Sequence, residues 1–385
     1  MNTAIPVRKE TNVDTEMERA REVVSEDKAL PHPRQRVLEM PEYHPPLANR
    51  SLLRLDFNEN TSAPSPKVIE RLRQTTAEDL TIYPERQHVE VVVAGHFDLE
   101  PEQVLLTNGV DEAIHLLCAA FLEDGDEALI STPTFFMYDV SIGMMTRGLK
   151  RVQADASLEF PFERFLSAIT PRTKLIMVAS PNNPTGAVVS RAHLLDLCRA
   201  APHAVVFVDE AYFHFHGETT LGEVGQVRNL IVARTFSKAY GLANLRVGML
   251  AGDAQLLGYV RKVSSPYNVN GVALDVLPFA LEDRAYLDWY IAEVHAGRQR
   301  LTEALDEMDV RYWPSQANFV LFEIGPRHKE LVSRMREAGV LLRDRSADPG
   351  CAGYVRMTIG IADHVTRGIE ALRATLKEMQ WTRPQ

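Results

Sequence analysis

Short apolar runs recur along this chain, and amphipathic stretches at helical spacing lie between them. Val104-Leu105-Leu106, Glu127 to Ile130, Lys174 to Val178, Ala204 to Val208 and Leu230 to Val232 are too short for helices. They are also too uniformly apolar for strands with one wet face. Val89 to Phe97, Asp111 to Phe121 and Arg191 to Ala200 carry the helical period. Strands apolar on both faces and alternating with helices predict an α/β fold: a large domain around a mainly parallel sheet. Ligands in such sheets sit at the carboxyl ends of the strands. The residues just after each run are therefore the first candidates for chemistry.

The pattern changes near Arg284. A long helix to about Met308 leads into strands at Asn318 to Glu323 and Tyr354 to Ile359, with helices near Arg327 to Ala338 and Ala362 to Met379. This reads as a smaller α+β domain, completed by a strand over Leu52 to Phe57. A turn and a helix beginning near Pro66 follow that strand. The expected division is an N-terminal extension and arm over 1–50, a large ligand-binding domain over 80–285, and a small domain built from 51–79 and 286–385. Within the extension, Glu16 to Lys28 could form a solvated helix, and prolines hold Met40 to Leu47 extended.

Composition excludes several classes. The net charge of −10 over 385 residues, without a basic run, argues against a nucleic-acid partner. No apolar stretch approaches the ~20 residues of a membrane span, and no signal peptide is visible at the N-terminus. Cys118, Cys198 and Cys351 are odd in number and widely spaced, so they read as buried thiols of a reducing compartment. The twelve histidines show no metal-ligand spacing. A cytoplasmic protein without a metal is the expectation.

Four groups follow predicted strands. Lys238, one of nine lysines, lies in Thr235-Phe236-Ser237-Lys238-Ala239-Tyr240-Gly241, between the run ending at Ala233 and a second at Val247 to Leu250. Burial lowers a lysine's pKa, which is what it needs to attack a carbonyl and hold a Schiff base; a loop lysine beside a capping serine is the plainer alternative. Asp209 ends the run Val205 to Val208, where a buried carboxylate needs a cationic or N–H partner or else caps a helix. Ser180 to Gly186 is a turn by composition that could aim a side-chain amide at a ligand. Thr107 to Glu112 joins a strand to a helix whose first amides favour a phosphate; Ser237 and Arg246 could serve the same phosphate. An imine-forming lysine, a carboxylate for a ring nitrogen, an amide for a phenolic oxygen and a phosphate cradle together match the needs of pyridoxal 5′-phosphate.

In the order of its motifs the chain resembles the fold-type I pyridoxal-phosphate aminotransferases, and among them the histidinol-phosphate aminotransferase branch. The resemblance runs from about Tyr43 to the C-terminus. It rests on Asp56-Phe57-Asn58-Glu59-Asn60, Tyr83-Pro84-Glu85, Asn108-Gly109-Val110-Asp111-Glu112, Pro133-Thr134-Phe135-Phe136-Met137-Tyr138 and Asn182-Asn183-Pro184-Thr185-Gly186. It continues through Asp209-Glu210-Ala211-Tyr212, the Lys238 segment, Pro266 to Asn270, Ala317-Asn318-Phe319 and Val355-Arg356-Met357-Thr358.

The resemblance implies roles at matching positions. Lys238 would bond covalently to the cofactor and shuttle the substrate's Cα proton, and Asp209 would keep the pyridine nitrogen protonated. Asn183 and Tyr212 would bond the phenolic oxygen, and Phe135 would stack on the ring. Val110, Asp111, Thr235, Ser237 and Arg246 would hold the phosphate, and Tyr83 would reach the phosphate of a neighbouring subunit in a homodimer. Tyr43, Asn58, Arg343 and Arg356 would contact the substrate, with Arg345 as a further candidate. The implied activity is ping-pong amino transfer between L-histidinol phosphate and the glutamate/2-oxoglutarate couple, in histidine biosynthesis. An aromatic amino-acid aminotransferase, or a related enzyme of specialised metabolism, is the alternative. Thr61-Ser62-Ala63 departs from the family's usual proline after Asn-Glu-Asn, and the N-terminal extension is long; both bear on specificity.

Overall fold

The computed structural model describes residues 31–40, 42 and 49–384. The expected helix at Glu16 to Lys28, Tyr43 and most of the proline-rich arm lie outside the described residues. Residues 1–42 form a unit of their own, whose described part holds one short helix, Gln35–Glu39.

In the remainder, a two-residue strand β1 (Leu53–Arg54) precedes a seven-stranded sheet. Its strands are β2 (Val104–Thr107), β3 (Glu127–Thr132), β4 (Gly148–Gln153), β5 (Thr173–Ala179), β6 (Val205–Asp209), β7 (Leu230–Thr235) and β8 (Gly248–Gly252). The order across the sheet is β2-β8-β7-β6-β5-β3-β4. Only β8 runs against its neighbours, pairing antiparallel with β2 and β7. The apolar runs end up here because both faces are covered. Val206 and Val208 of β6 enter one core cluster, whereas Val205 and Phe207 enter the other. The period-two alternation of a strand thus feeds two layers at once.

A second set of strands follows: β9 (Phe319–Glu323), β10 (Val340–Leu341), β11 (Arg343–Asp344) and β12 (Tyr354–Thr358). β11, β12 and β9 form an antiparallel sheet, and β1 pairs parallel with β10. That pairing carries Phe57 to Asn60 toward the end of the large sheet: Leu55 donates its N–H to Leu341 O, and Thr358 donates to Leu55 O.

Several elements were not evident from periodicity. β4 is a half-exposed edge strand rich in polar residues. The Phe136–Met145 helix is apolar nearly all round, so it carries little helical period. Asp253 caps the Ala254–Val263 helix by accepting from Gln255 N–H, and the Gly271–Glu282 helix starts at an Asn270 cap and contains Pro278. Among the described residues no helix is long and apolar enough to cross a membrane, and no His/Cys/Asp/Glu group could hold a metal ion. Cys118, Cys198 and Cys351 are all buried and free.

Candidate active site

A cavity of about 740 Å³ opens at the carboxyl ends of β5, β6 and β7. It brings together residues far apart in sequence: Val110, Asp111, Phe135, Asn183, Asp209, Tyr212, Thr235, Ser237, Lys238 and Arg246, with Asn58, Arg343, Arg345 and Arg356. Parallel strands deliver their following residues to one edge of the sheet, which is why these segments converge.

Lys238 lies three residues beyond the end of β7 and is only partly buried. Its Nζ donates to the Phe57 carbonyl at 3.0 Å and sits 5.9 Å from the centre of the Tyr212 ring. The amine is thus held by one neutral acceptor and, among the described residues, is paired with no carboxylate.

Asp209, the last residue of β6, is 5% exposed. Its Oδ2 accepts from the Tyr138 hydroxyl at 2.8 Å, and its Oδ1 accepts from the Ala211 N–H at 3.0 Å. Burial dominates and pushes its pKa up to about 6, although these two donors pull the other way. A buried carboxylate with neutral donors and no cation is a site prepared for a positive charge. Tyr138 was not singled out from the sequence; nothing local shows that its hydroxyl reaches a residue 71 positions away.

Asn183 lines the cavity with its side-chain oxygen already engaged by the Arg356 guanidinium. This fixes the amide orientation and leaves its N–H₂ to face a ligand. The Tyr212 hydroxyl accepts from Asn58 Nδ2 at 3.0 Å. Asn58 is buried in a left-handed backbone conformation, φ 57°, and its own N–H bonds Thr358 Oγ1 at 2.9 Å. The structure therefore places Asn58 as a support for Tyr212.

One end of the cavity is built largely from backbone. The Gly109–Phe121 helix points its first turn at the cavity, and the leading amides of a helix have no intrahelical acceptor. Gly109 has φ 74°, a backbone conformation that favours glycine, and a Cβ there would meet Arg246 Nη2 at 2.7 Å, so the guanidinium would have to shift. Arg246 bonds the Asp111 carboxylate at 2.7 Å and is itself left-handed, φ 51°. Thr235 and Ser237 are buried on the same side, joined by a 3.1 Å bond from Ser237 N–H to Thr235 Oγ1.

Another wall of the cavity holds the arginines. Arg356 of β12 is buried, and its guanidinium donates to Asn183 and, at 2.6 Å, to the Asp56 carbonyl. Burial, with the Arg345 and Arg343 charges adding to it, pushes its pKa down to about 9; it remains a cation at neutral pH. Arg343 lies directly opposite Arg356 in the β11–β12 register and 5.0 Å from the Phe57 ring centre. Tyr83 does not line the cavity: it is 76% exposed and stacks on Tyr267 with ring centres 4.5 Å apart.

These residues fit pyridoxal 5′-phosphate. The uncompensated Asp209 carboxylate matches a protonated ring nitrogen, and the glycine-lined helix N-terminus with Ser237 and Arg246 matches a phosphate. Such a lysine, carboxylate and cradle on a mostly parallel sheet define a pyridoxal-phosphate enzyme. Comparison with known proteins narrows this. The pattern of class I and II aminotransferases matches residues 50–372, and the chain belongs to that family. Histidinol-phosphate aminotransferase 1 of Bacillus cereus is 31% identical over 334 residues, 85% of this chain and 90% of that protein. Histidinol-phosphate aminotransferase of Caldanaerobacter subterraneus subsp. tengcongensis is 34% identical over 309 residues, 77% and 85% of the two chains. Among solved structures, histidinol-phosphate aminotransferase from Sinorhizobium meliloti in complex with pyridoxal-5′-phosphate has a TM-score of 0.82 at 22% identity, covering 91% of this chain and 99% of that one.

Proposed function

We propose that the protein is a pyridoxal-phosphate-dependent histidinol-phosphate aminotransferase, exchanging an amino group between L-histidinol phosphate and the glutamate/2-oxoglutarate couple. The observation that carries the substrate choice is the Arg343–Arg356 pair. Like charges directly opposite on adjacent strands destabilise a sheet, and buried Arg356 hydrogen-bonds neutral oxygens and shares the nearby Asp348 charge with Arg343 and Arg345. Such an arrangement calls for an anion, and a phosphate monoester carries more charge to it than a carboxylate. The names of the two relatives above agree with this reading.

Bound pyridoxal phosphate supplies an electron-withdrawing ring that stabilises negative charge on the substrate's Cα. The chain supplies the rest. Lys238 would hold the cofactor covalently, and its amine would carry the proton from and to the substrate's Cα. Asp209 keeps a positive charge on the ring nitrogen, and Tyr138 and the Ala211 amide hold Asp209 in place. Asn183, oriented by Arg356, and Tyr212, oriented by Asn58, bind the phenolic oxygen. Phe135 would stack on the ring, while Val110, Asp111, Ser237, Thr235 and Arg246 would anchor the phosphate. Both substrates use the same cavity in turn, which makes the kinetics ping-pong.

The proposal includes a cytoplasmic homodimer. Leu80, Ile82 and Tyr83 are each more than 60% exposed in one segment, and their neighbour Tyr267 is 54% exposed. A contiguous apolar surface of this kind favours a partner, and Tyr83 would reach a second copy's site from it. Residues 80–285 would carry the cofactor, with 51–79 and 286–385 as the small domain and Tyr43 on the arm covering the substrate.

The test is a single-turnover half-reaction of the purified holoenzyme, followed by the visible band of the bound cofactor. Rapid loss on adding L-histidinol phosphate, with L-phenylalanine and L-tyrosine slow, is expected. Rapid loss with the aromatic amino acids and slow loss with histidinol phosphate would move the protein to the aromatic aminotransferases.

A further inference from the structure

The arginine side of the cavity contains a carboxylate that the proposed reaction does not use. Asp348 lines the cavity and is in ionic contact with the Arg345 guanidinium. Asp348 donates its backbone N–H to Arg345 O at 3.0 Å, so the two are closed into one turn between β11 and β12. An i,i+3 pair on a turn is ordinarily a solvated surface contact of little consequence. This one is largely withdrawn from solvent: the side chains are 11% and 21% exposed. Arg343 and Arg356 are near enough for their charges to act on Asp348 as well. Asp344, next in line, is engaged elsewhere, with Oδ2 3.1 Å from His328 Nδ1 and Oδ1 accepting from Ser346 N–H at 2.9 Å.

Hydrogen bonding on this wall is incomplete. Arg345 Nε and Arg356 Nε are buried without a hydrogen-bond partner. Asp348 Oδ2 is buried too; it touches the Arg345 guanidinium as an ion but makes no well-aligned hydrogen bond. Buried charged groups of a folded protein are normally satisfied, and each exception asks for a reason. Three such atoms lie within one wall, so its charges balance one another through space rather than through a completed hydrogen-bond network.

We propose that Asp348 is the internal counter-ion of the substrate's anion site, competing with the substrate's acidic end for Arg345 and so setting how strongly the wall holds a dianion relative to a monoanion. This rests on the reading above that the cavity takes an anionic amino substrate. The wall carries the Arg343, Arg345 and Arg356 guanidiniums and the Asp344 and Asp348 carboxylates, hence a net charge of one. Exchanging Asp348 for a neutral isostere raises it to two. Coulombic attraction scales with the product of the charges, so the gain for a dianion is twice that for a monoanion in logarithmic terms. For a unit charge several ångströms away in a partly screened cleft, this is about tenfold for a monoanion and about a hundredfold for a dianion. Asp348 thus weakens a grip that would otherwise retain a phosphate ester, and it occupies Arg345 between turnovers.

The experiment is calorimetric titration of the holoenzyme with three probes that lack an amino group and cannot turn over. They are 2-phenylethyl phosphate, 3-phenylpropanoate and 2-phenylethanol. The D348N variant should tighten the phosphate most, the carboxylate by about the square root of that factor, and the alcohol not at all. R345Q should weaken the phosphate more than the carboxylate. The double variant R345Q/D348N, which restores the net charge, should recover phosphate affinity to within a few-fold of wild type; this keeps the test open where D348N alone folds poorly. Unchanged or weaker phosphate binding in D348N, or no recovery in the double variant, would overturn the counter-ion role while leaving the substrate reading intact. Failure of both anionic probes to bind the wild-type cavity would overturn that reading, and the inference with it.

Discussion

Removing the Tyr138 hydroxyl should make the stability of the cofactor-free protein depend more strongly on pH. Asp209 is buried with a pKa near 6, against an ordinary value of 3.8. Because the folded value lies above the unfolded one, the folded state binds the proton more tightly. The associated stabilisation is full below about pH 4 and is lost as pH rises to about 6; the loss is about 3 kcal/mol. The Tyr138 bond opposes this by favouring the ionised carboxylate, and burial beside Asp209 keeps the phenol's own pKa well above its usual range, so it remains a donor. A hydrogen bond to the charged carboxylate contributes roughly 1.5–3 kcal/mol against about 1 for the neutral acid, a difference of roughly half to one and a half pKa units. Tyr138→Phe should therefore raise the Asp209 pKa to about 6.5–7.5. Urea unfolding of the cofactor-free protein at about pH 5 and about pH 8.5 reads this directly. At the lower pH both proteins hold Asp209 protonated, and the variant should lose only the smaller contribution of a neutral bond, about 1 kcal/mol. At the higher pH the loss should be larger by about 0.5–2 kcal/mol. Equal losses at the two pH values would refute the assignment of Tyr138 to the ionised carboxylate.

Three further outcomes are expected. Arg356→Gln should lower kcat/KM for L-histidinol phosphate by roughly two orders of magnitude or more, since truncating one side of a buried charge pair costs about 2–5 kcal/mol; steady-state kinetics at fixed 2-oxoglutarate checks it. Gly186→Ala should destabilise the fold by at least about 2 kcal/mol, because Gly186 has φ 76° and an added Cβ would lie 2.2 Å from Ser315 Oγ; thermal unfolding measures it. Burial pushes the Cys118, Cys198 and Cys351 thiols up to about 12, so none should label with a maleimide near neutral pH until denaturant is added.

The large sheet was legible because its strands are apolar on both faces, a pattern that solvent-facing strands do not show. Asp209, Asn183 and Lys238 were legible because each closely follows such a run, and in a parallel sheet that position is also an address in space. What escaped was what chain distance hides. Tyr138 reaches Asp209, Asn58 reaches Tyr212, and Arg356 orients Asn183 across 173 positions. β4 escaped because an exposed edge strand is built from ordinary polar residues. Asp348 looked like one charge among several in a turn; only its burial against Arg345 sets it apart.

The central claim is that Lys238 is where the cofactor is attached. Borohydride reduction of the purified yellow holoenzyme, followed by proteolysis and mass mapping of the modified peptide, tests it most directly. A single pyridoxyl mass on the peptide containing Lys238, with the other eight lysines unmodified, is the predicted result. A stoichiometric label on any other lysine would contradict the account.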